Sequence, residues 1–327
     1  MSKLGVNPIT SKDIEVARDR LSKYLRPTPL ILSESLSHDL GCRVWLKLES
    51  QQPTGSFKVR PAFNSILSRL DQARQVGIVT SSSGNFAQAI AYAARTLGVS
   101  AQIVMMKNTS PLKRAMTEHF GGEVVSCENT FKDRWDTTFR IQKETGRLLL
   151  HPYDSDETIA GNGTIGLELL DELGGNFSVV APISGGGLIS GIATVIKRER
   201  PGCRVFGVQP AANQSMQQSL AAGQPVTVAV GTTIADALVV ACPGERGLRI
   251  VEQLVDDVFA VNEEDLRTTV RYLATKQKVV AEPGGAAAVA ALRVSEIADL
   301  SKDVVCILSG ANVSSEMFCE LLISHDV

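Results

Sequence analysis

Lys58 is the residue of this chain whose neighbours best equip it as a nucleophile. It stands in Thr54-Gly55-Ser56-Phe57-Lys58, after Gln51-Gln52-Pro53. A lysine attacks a carbonyl only after losing its proton, and burial beside an apolar group such as Phe57 lowers its pKa. A lone lysine is ordinarily a solvated surface charge, so the case depends on the glycine and hydroxyl residues before it, whose amides and hydroxyls suit an anion. A second segment of this kind is Ser184-Gly185-Gly186-Gly187-Leu188. It follows the apolar run Phe177–Ala181 and precedes a helical pattern from Leu188 to about Arg198. Three glycines between a strand and a helix let consecutive N–H groups converge, and the helix start adds partial positive charge, which suits a phosphate. A side chain at Gly186 is expected to block that close approach. The plainer reading is a tight turn. No Gly-Lys-Ser/Thr follows, so this is not a P-loop.

Ser81-Ser82-Ser83-Gly84-Asn85-Phe86 follows the run Gly77–Thr80. Hydroxyls and amides at a helix start hold a carboxylate or phenolate well. The same residues also read as an ordinary serine cap. Ser309-Gly310-Ala311-Asn312 leaves the run Val304–Leu308 and alone is only a strand exit. Gly161-Asn162-Gly163-Thr164-Ile165-Gly166 matches the dinucleotide pattern G-x-G-x-x-G, but no strand runs into it, so NAD binding is not expected.

The elements that must position these segments alternate in type. Strands are predicted at Arg43–Leu48, Gly77–Thr80, Ala101–Met106, Glu123–Ser126, Arg147–Leu150, Phe177–Ala181, Arg204–Val208, Asp257–Val261 and Val304–Leu308. Most are unbroken Val/Ile/Leu runs, as in strands buried on both faces. Helix starts are signalled by Thr10 to Asp13, opening a helix through Leu25, by Ser110-Pro111, and by Asn262 with Glu263 and Glu264. Such alternation predicts an α/β fold with a largely parallel sheet. No Pro/Gly/Ser-rich linker divides the 327 residues, so a second domain is expected as an insertion. The expected division is 1–67 with 155–327 as a large domain and 68–154 as a small α/β domain.

Composition excludes several classes. The chain is 44% hydrophobic and 21% charged, with a net charge of -2, so neither nucleic acid nor an anionic membrane is expected as a partner. No membrane span is expected from Val226–Cys242, which Asp236 breaks, or from the Ala-rich run after Gly284. The stretch Met1 to Asp13 has no apolar core of a signal peptide. The six cysteines, Cys42, Cys127, Cys203, Cys242, Cys306 and Cys319, form no C-x-x-C pair, which suggests reduced thiols and a cytoplasmic protein. His38, His119, His151 and His325 are isolated, so no metal site is expected.

Taken together, the four motifs resemble the fold type II pyridoxal-phosphate enzymes, and within them the threonine/serine dehydratases and serine racemases. The resemblance runs from Arg26-Pro27-Thr28-Pro29-Leu30 to Asn312, and Thr54-Gly55-Ser56-Phe57-Lys58-Val59-Arg60 is its most specific part. It implies pyridoxal 5'-phosphate as cofactor, with Lys58 as the lysine that bonds it and as the base at Cα. It further implies Phe57 packed on the cofactor ring, Asn85 at the phenolic oxygen, Gly185, Gly186, Gly187 and Leu188 around the phosphate, and Ser309 at the pyridine nitrogen. A neutral serine there makes the ring a weaker electron sink than an aspartate would, which favours prompt loss of a β-leaving group.

The implied enzyme is a lyase that converts a β-hydroxy amino acid to a 2-oxo acid and ammonia. The substrate would be threonine, serine or a bulkier β-substituted serine such as phenylserine. The alternatives are an amino-acid racemase with side elimination, a hydroxyaspartate dehydratase, or a non-catalytic binder of the cofactor. Ser83 falls where racemases carry their second acid–base group. Arg134, seven residues after Cys127, aligns with the racemase's substrate-carboxylate arginine, and Ser82 joins these two as a substrate contact. The small amino acid is the expected partner, and a homo-oligomer is left open. Departures from the dehydratase pattern are Phe86 for His, Ala237, Ala311 and Pro61 for Gly, and Ser184 for the first of four glycines. Phe86 and Ala237 imply a more apolar pocket that suits a bulkier β-substituent. Gln209 replaces the acid of metal-dependent relatives.

Overall fold

Apolar runs without a polar face can satisfy their backbone and bury both sides only inside a covered parallel sheet. The computed structural model, which describes residues 9–294, 297 and 299–323, contains two such sheets. His325 and the first eight residues of the leading segment lie outside the described residues. The strands are β1 Leu30–Leu32, β2 Arg43–Lys47, β3 Ile78–Ser81, β4 Ala101–Met106, β5 Glu123–Cys127, β6 Leu148–Leu150, β7 Ser178–Pro182, β8 Arg204–Pro210, β9 Asp257–Val261 and β10 Asp303–Ile307. A six-stranded sheet has the order β1-β2-β10-β7-β8-β9, and a four-stranded sheet the order β5-β4-β3-β6. Every pairing is parallel except β1 with β2. The class is α/β, as expected. β1 was not among the predicted strands. Its three residues follow Pro27 and Pro29, too short a run to carry a period.

In chain order the helices are α1 Ser11–Leu21, α2 Glu34–Leu40, α3 Val59–Leu67, α4 Leu70–Val76, α5 Asn85–Leu97, α6 Pro111–His119 and α7 Phe131–Thr145. They continue with α8 Asp156–Glu172, α9 Gly187–Glu199, α10 Ser215–Ala222, α11 Glu245–Leu254, α12 Glu263–Tyr272, α13 Pro283–Val294 and α14 Ser315–Ile323. Thr10 and Asp13 form a reciprocal capping box at α1, and Asn262 and Asp265 form another at α12. α1 stops at Leu21 rather than Leu25: the amides of Tyr24 and Leu25 both turn back to the Leu21 carbonyl, ahead of Pro27. Pro111 opens α6 as predicted, but the Ser110 hydroxyl makes no cap bond.

The glycine pattern at 161–166 lies inside α8 and serves packing. A Cβ at Gly161 would stand 2.7 Å from Pro61 Cα, and one at Gly163 2.9 Å from the Gly191 carbonyl. One at Gly166 would stand 2.5 Å from Val195 Cγ1. The missing side chains therefore let α8 lie directly on α3 and α9, which carry the reactive segments. Pro61 falls in the first turn of α3, where a missing N–H leaves no helix bond unmade.

A set of charges is sealed into this junction. Arg60 donates to both Glu49 oxygens at 2.8 Å and to Glu168 at 2.6 and 2.9 Å. Lys47, wholly buried, reaches Glu168 at 2.8 Å, Glu172 at 3.0 Å and the Thr28 carbonyl at 2.7 Å. Burial opposes ionisation of Glu49, but Arg60, with help from Thr28 and Lys47, outweighs it and holds the pKa below the ordinary carboxylate value. The stability this gives is present above the unfolded pKa and is lost as pH falls through the folded one. Removing the Arg60 cation would take away the one charged hydrogen-bond donor of buried Glu49 among the described residues and leave Glu168 with Lys47 alone. Arg60→Ala should lower unfolding free energy by about 3–5 kcal/mol, read as a shift in the urea midpoint. A loss under about 1 kcal/mol would show the network to be dispensable.

Candidate active site

The loop that carries Lys58 is closed by residues from the far end of the chain. Phe57 N–H donates to the Ser309 carbonyl at 3.0 Å, Ala311 N–H to the Gly55 carbonyl at 2.8 Å, and Ser56 bridges Gly310. Gly55 is left-handed (φ +69°), and a Cβ there would sit 2.5 Å from Asn312 Oδ1. Asn312 Nδ2 donates to the Thr54 carbonyl at 2.9 Å and to Asn85 Oδ1 at 2.8 Å. Three of the sequence motifs are thus tied together by hydrogen bonds.

All four meet around one cavity of about 420 Å³ between the two sheets. Phe57, Lys58, Ser82, Ser83, Asn85, Arg134, Gly185, Gly186, Gly187, Leu188 and Ser309 all line it. Lys58 is open to the cavity on part of its surface, yet its amine is enclosed and burial lowers its pKa to about 8. Its Nζ donates to the Pro152 carbonyl at 2.9 Å and lies 5.0 Å from the Phe57 ring centre and 5.6 Å from that of Phe86. Among the described residues it has no carboxylate partner.

Two helices point their starts at this cavity. α5 begins after Gly84 and α9 after Gly186, and neither is capped by a side chain. Their first N–H groups are therefore free to bind anions. Gly186 is left-handed (φ +95°). At this position the geometry adds a constraint from the protein side. A Cβ at Gly186 would meet Gly247 Cα and Met216 Cε at 3.1 Å, and Cβ atoms at Gly185 and Gly187 would run into Tyr153. The glycines let the protein close behind this turn, so a side chain there strains the fold itself.

On the α5 side, Ser83 Oγ accepts from Met106 N–H at 3.2 Å and from Arg134 at 3.4 Å, while Ser81 Oγ accepts from Arg134 Nε at 2.8 Å. With both its lone pairs engaged, the Ser83 hydroxyl must send its own proton elsewhere. Arg134 is half-buried on α7 and makes no ion pair among the described residues. Gln209 donates to Gln217 Oε1 at 2.6 Å, and Gln217 to the Val258 carbonyl, so its amide is committed to a neutral chain.

Several residues escaped the sequence reading. Glu282, just before α13, is buried at the cavity wall. Lys113 on α6 pairs with Asp236 across the cavity mouth. His151 is not isolated: its Nδ1 accepts from Tyr153 N–H at 3.3 Å and Asp154 N–H at 2.8 Å. Burial, opposed by Asp154, lowers its pKa to about 4. His151 stacks on Trp135 (4.8 Å, 18°) and meets the Tyr153 ring edge-on at 4.6 Å. The Lys113–Asp236, Trp135–His151 and Asn85–Glu282 contacts join distant segments and leave no local pattern; only Glu282-Pro283-Gly284-Gly285, an acid opening a small-residue helix, offered a signal.

Residues 21–310 match the family model for pyridoxal-phosphate dependent enzymes. The chain belongs to that family, in its threonine/serine dehydratase branch. It is 41% identical over 300 residues to an L-threonine ammonia-lyase of Geobacter sulfurreducens, covering 92% of this chain and 75% of that one. It is 36% identical to an L-threo-3-hydroxyaspartate ammonia-lyase of Saccharomyces cerevisiae, covering 96% of each. The solved structure of maize serine racemase superposes with a TM-score of 0.92 at 34% identity, over 96% and 97% of the two chains. The cavity fits a pyridoxal-phosphate enzyme: an enclosed amine of lowered pKa, an uncapped helix start with a glycine cradle, and a carboxamide share one wall system.

Two outcomes are expected. Lys58→Ala should lose the absorbance of the lysine-bound cofactor and all turnover; near-normal activity would contradict the assignment. Only the neutral amine can bond the cofactor, so its capture by the apo-protein should quicken as pH rises and level off above about 8. A profile still rising toward the ordinary lysine value would show Nζ to be solvated.

Proposed function

We propose that this enzyme removes ammonia from a β-hydroxy amino acid, the water lost from Cβ being regained on hydrolysis, to give a 2-oxo acid. The observation that carries the reading is the enclosed Lys58 amine facing the uncapped starts of α5 and α9 across one cavity. When bound, pyridoxal phosphate draws electrons from the substrate's Cα and weakens its C–H bond. Lys58 Nζ would hold the cofactor and is the group placed to take the Cα proton. The start of α9 with Gly185, Gly186, Gly187 and Leu188 holds the phosphate. The start of α5 with Ser82 and Ser83 holds the substrate carboxylate, Asn85 and Ser309 hold the ring, and Phe57 packs beside it. The β-hydroxyl leaves with a proton as water, and hydrolysis of the remaining enamine frees ammonia.

Phe86, Met106, Leu238, Val239 and Ala237 give the cavity an apolar side that accepts the methyl of threonine or a larger group. Arg134 favours a second reading. A guanidinium whose described partners are two serine hydroxyls is suited to a second carboxylate, as in a 3-hydroxyaspartate. Ser83 stands where a second acid–base group could serve racemisation. We also read residues 68–154 as a small domain inserted between 1–67 and 155–327, which the separate four-stranded sheet supports. Six free cysteines support a cytoplasmic location. No helix among the described residues is long and apolar enough to cross a membrane.

The test is a panel of threonine, serine, phenylserine and 3-hydroxyaspartate in all configurations, scored for 2-oxo acid and for the opposite enantiomer. Turnover to a 2-oxo acid should dominate; faster racemisation would reverse the assignment. Ser83→Ala should abolish any racemisation and leave much of the elimination. Arg134→Met should cost 3-hydroxyaspartate about ten- to a hundredfold in kcat/KM relative to threonine, the worth of a charged hydrogen bond. An equal loss for both substrates would remove the second reading.

A further inference from the structure

Two acids line the cavity, and they differ in kind. Asp236 has a side chain 61% exposed and is paired with Lys113. Glu282 is 2% exposed. Its main chain is pinned, with N–H to the Gly310 carbonyl at 3.0 Å and its own carbonyl accepting from Ala286 at 3.0 Å. One carboxyl oxygen, Oε1, accepts from Asn85 Nδ2 at 2.6 Å. The other, Oε2, is buried with no hydrogen-bond partner among the described residues. A buried carboxyl with an orphan oxygen is costly, so its presence beside the reactive residues calls for a cause.

The geometry around Asn85 supplies one. The Asn85 amide is gripped at both ends: its oxygen accepts from Asn312, and its nitrogen donates to Glu282. Neither bond survives a flip of the amide, because Asn312 would then face a nitrogen and Glu282 an oxygen. Asn85 Nδ2 keeps a second N–H, and Asn85 lines the cavity. Glycine at 310 makes room for this arrangement, since a Cβ there would collide with Glu282 Oε1 and stand 3.3 Å from Asn85 Nδ2.

We infer that Glu282 is a positioning residue: it fixes the Asn85 amide so that an N–H faces the cofactor's ring oxygen, and its carboxyl gains or loses a proton to set the charge felt there. The inference rests on the reading of Asn85 as the partner of that oxygen. A carboxylate so close opposes negative charge on the ring oxygen, and protonation at the free Oε2 relieves that repulsion. Burial raises the pKa of Glu282 to about 7. Lys113 on α6 lowers it, Asp236 raises it, and the Asn85 hydrogen bond lowers it. The group can therefore change state at neutral pH.

The experiment reads the visible absorbance of the holoenzyme across neutral pH, with cofactor affinity measured by dialysis. The wild type should show a step with a midpoint near 7. Glu282→Gln, which keeps an acceptor for Asn85 but cannot titrate, should bind cofactor and lose the step. Asn85→Ala should lose it with Glu282 still present. Lys113→Met should move the midpoint upward, because it removes a cation and frees Asp236; this arm stands even if Glu282→Gln does not fold. A step unchanged in Glu282→Gln, or a midpoint unmoved in Lys113→Met, overturns the inference. A wild type that binds cofactor but shows no step overturns it alone. A wild type that fails to bind cofactor overturns the family-based reading of the site along with it.

Discussion

Two residues beyond Lys58, an arginine is held out of water by two glutamates, and the geometry of the site hangs on that pairing. Arg60 engages Glu49, which follows β2, and Glu168, which lies on α8. Lys47 adds a second cation from the sheet itself. Ions removed from water must meet partners in good geometry or not be ions at all. The network therefore accepts one arrangement of β2, α3 and α8. An apolar junction of the same volume would tolerate sliding. Here the start of α3, and with it Lys58, is referenced to the six-stranded sheet by charge.

The second reference is steric. α8 and α9 cross so closely that Gly163 lies against the Gly191 backbone. α9 begins directly after the Gly185-Gly186 turn, so the depth of that crossing sets the height of the turn at the cavity. The third reference comes from β10, whose exit residues Ser309 and Ala311 bond to Phe57 and Gly55. Lys58, the glycine turn and Ser309 are thus each anchored to the same sheet by a different kind of contact. The serine loop at the start of α5 comes from the other sheet and meets them through Asn312 and Glu282.

Much of this was legible in the sequence, for a physical reason. Parallel strands such as β7 and β10 are wholly buried and so read as unbroken apolar runs. No one of the glycine, serine and lysine segments was decisive alone; their four motifs together carried the resemblance. The boundaries were close, with β4 and β9 matching their predicted ends and others shifted by a residue or two. What was hidden was pairing over distance. Glu282 looks like an acid at a helix start, and only the fold brings it to Asn85. His151 looks solitary, and only the packing of α7 against the β6–α8 connection puts Trp135 on its face. The pattern at 161–166 was rejected on context, but its use as a contact surface between helices needed coordinates.

The stack that runs from Phe139 through Trp135 and His151 to Tyr153 joins the outer face of α7 to the cavity wall. The chain has two tryptophans. Trp45 sits in β2, with its indole N–H on Asp303 at 2.8 Å, and is not part of the cavity lining. Trp135 stands two rings away from a lining residue. The two indoles therefore sit in unlike settings: one is joined through ring contacts to the cavity wall, and the other is hydrogen-bonded within the six-stranded sheet, apart from the lining. A shift of the Tyr153 ring would thus be passed through His151 to Trp135, on the far side of the cavity wall.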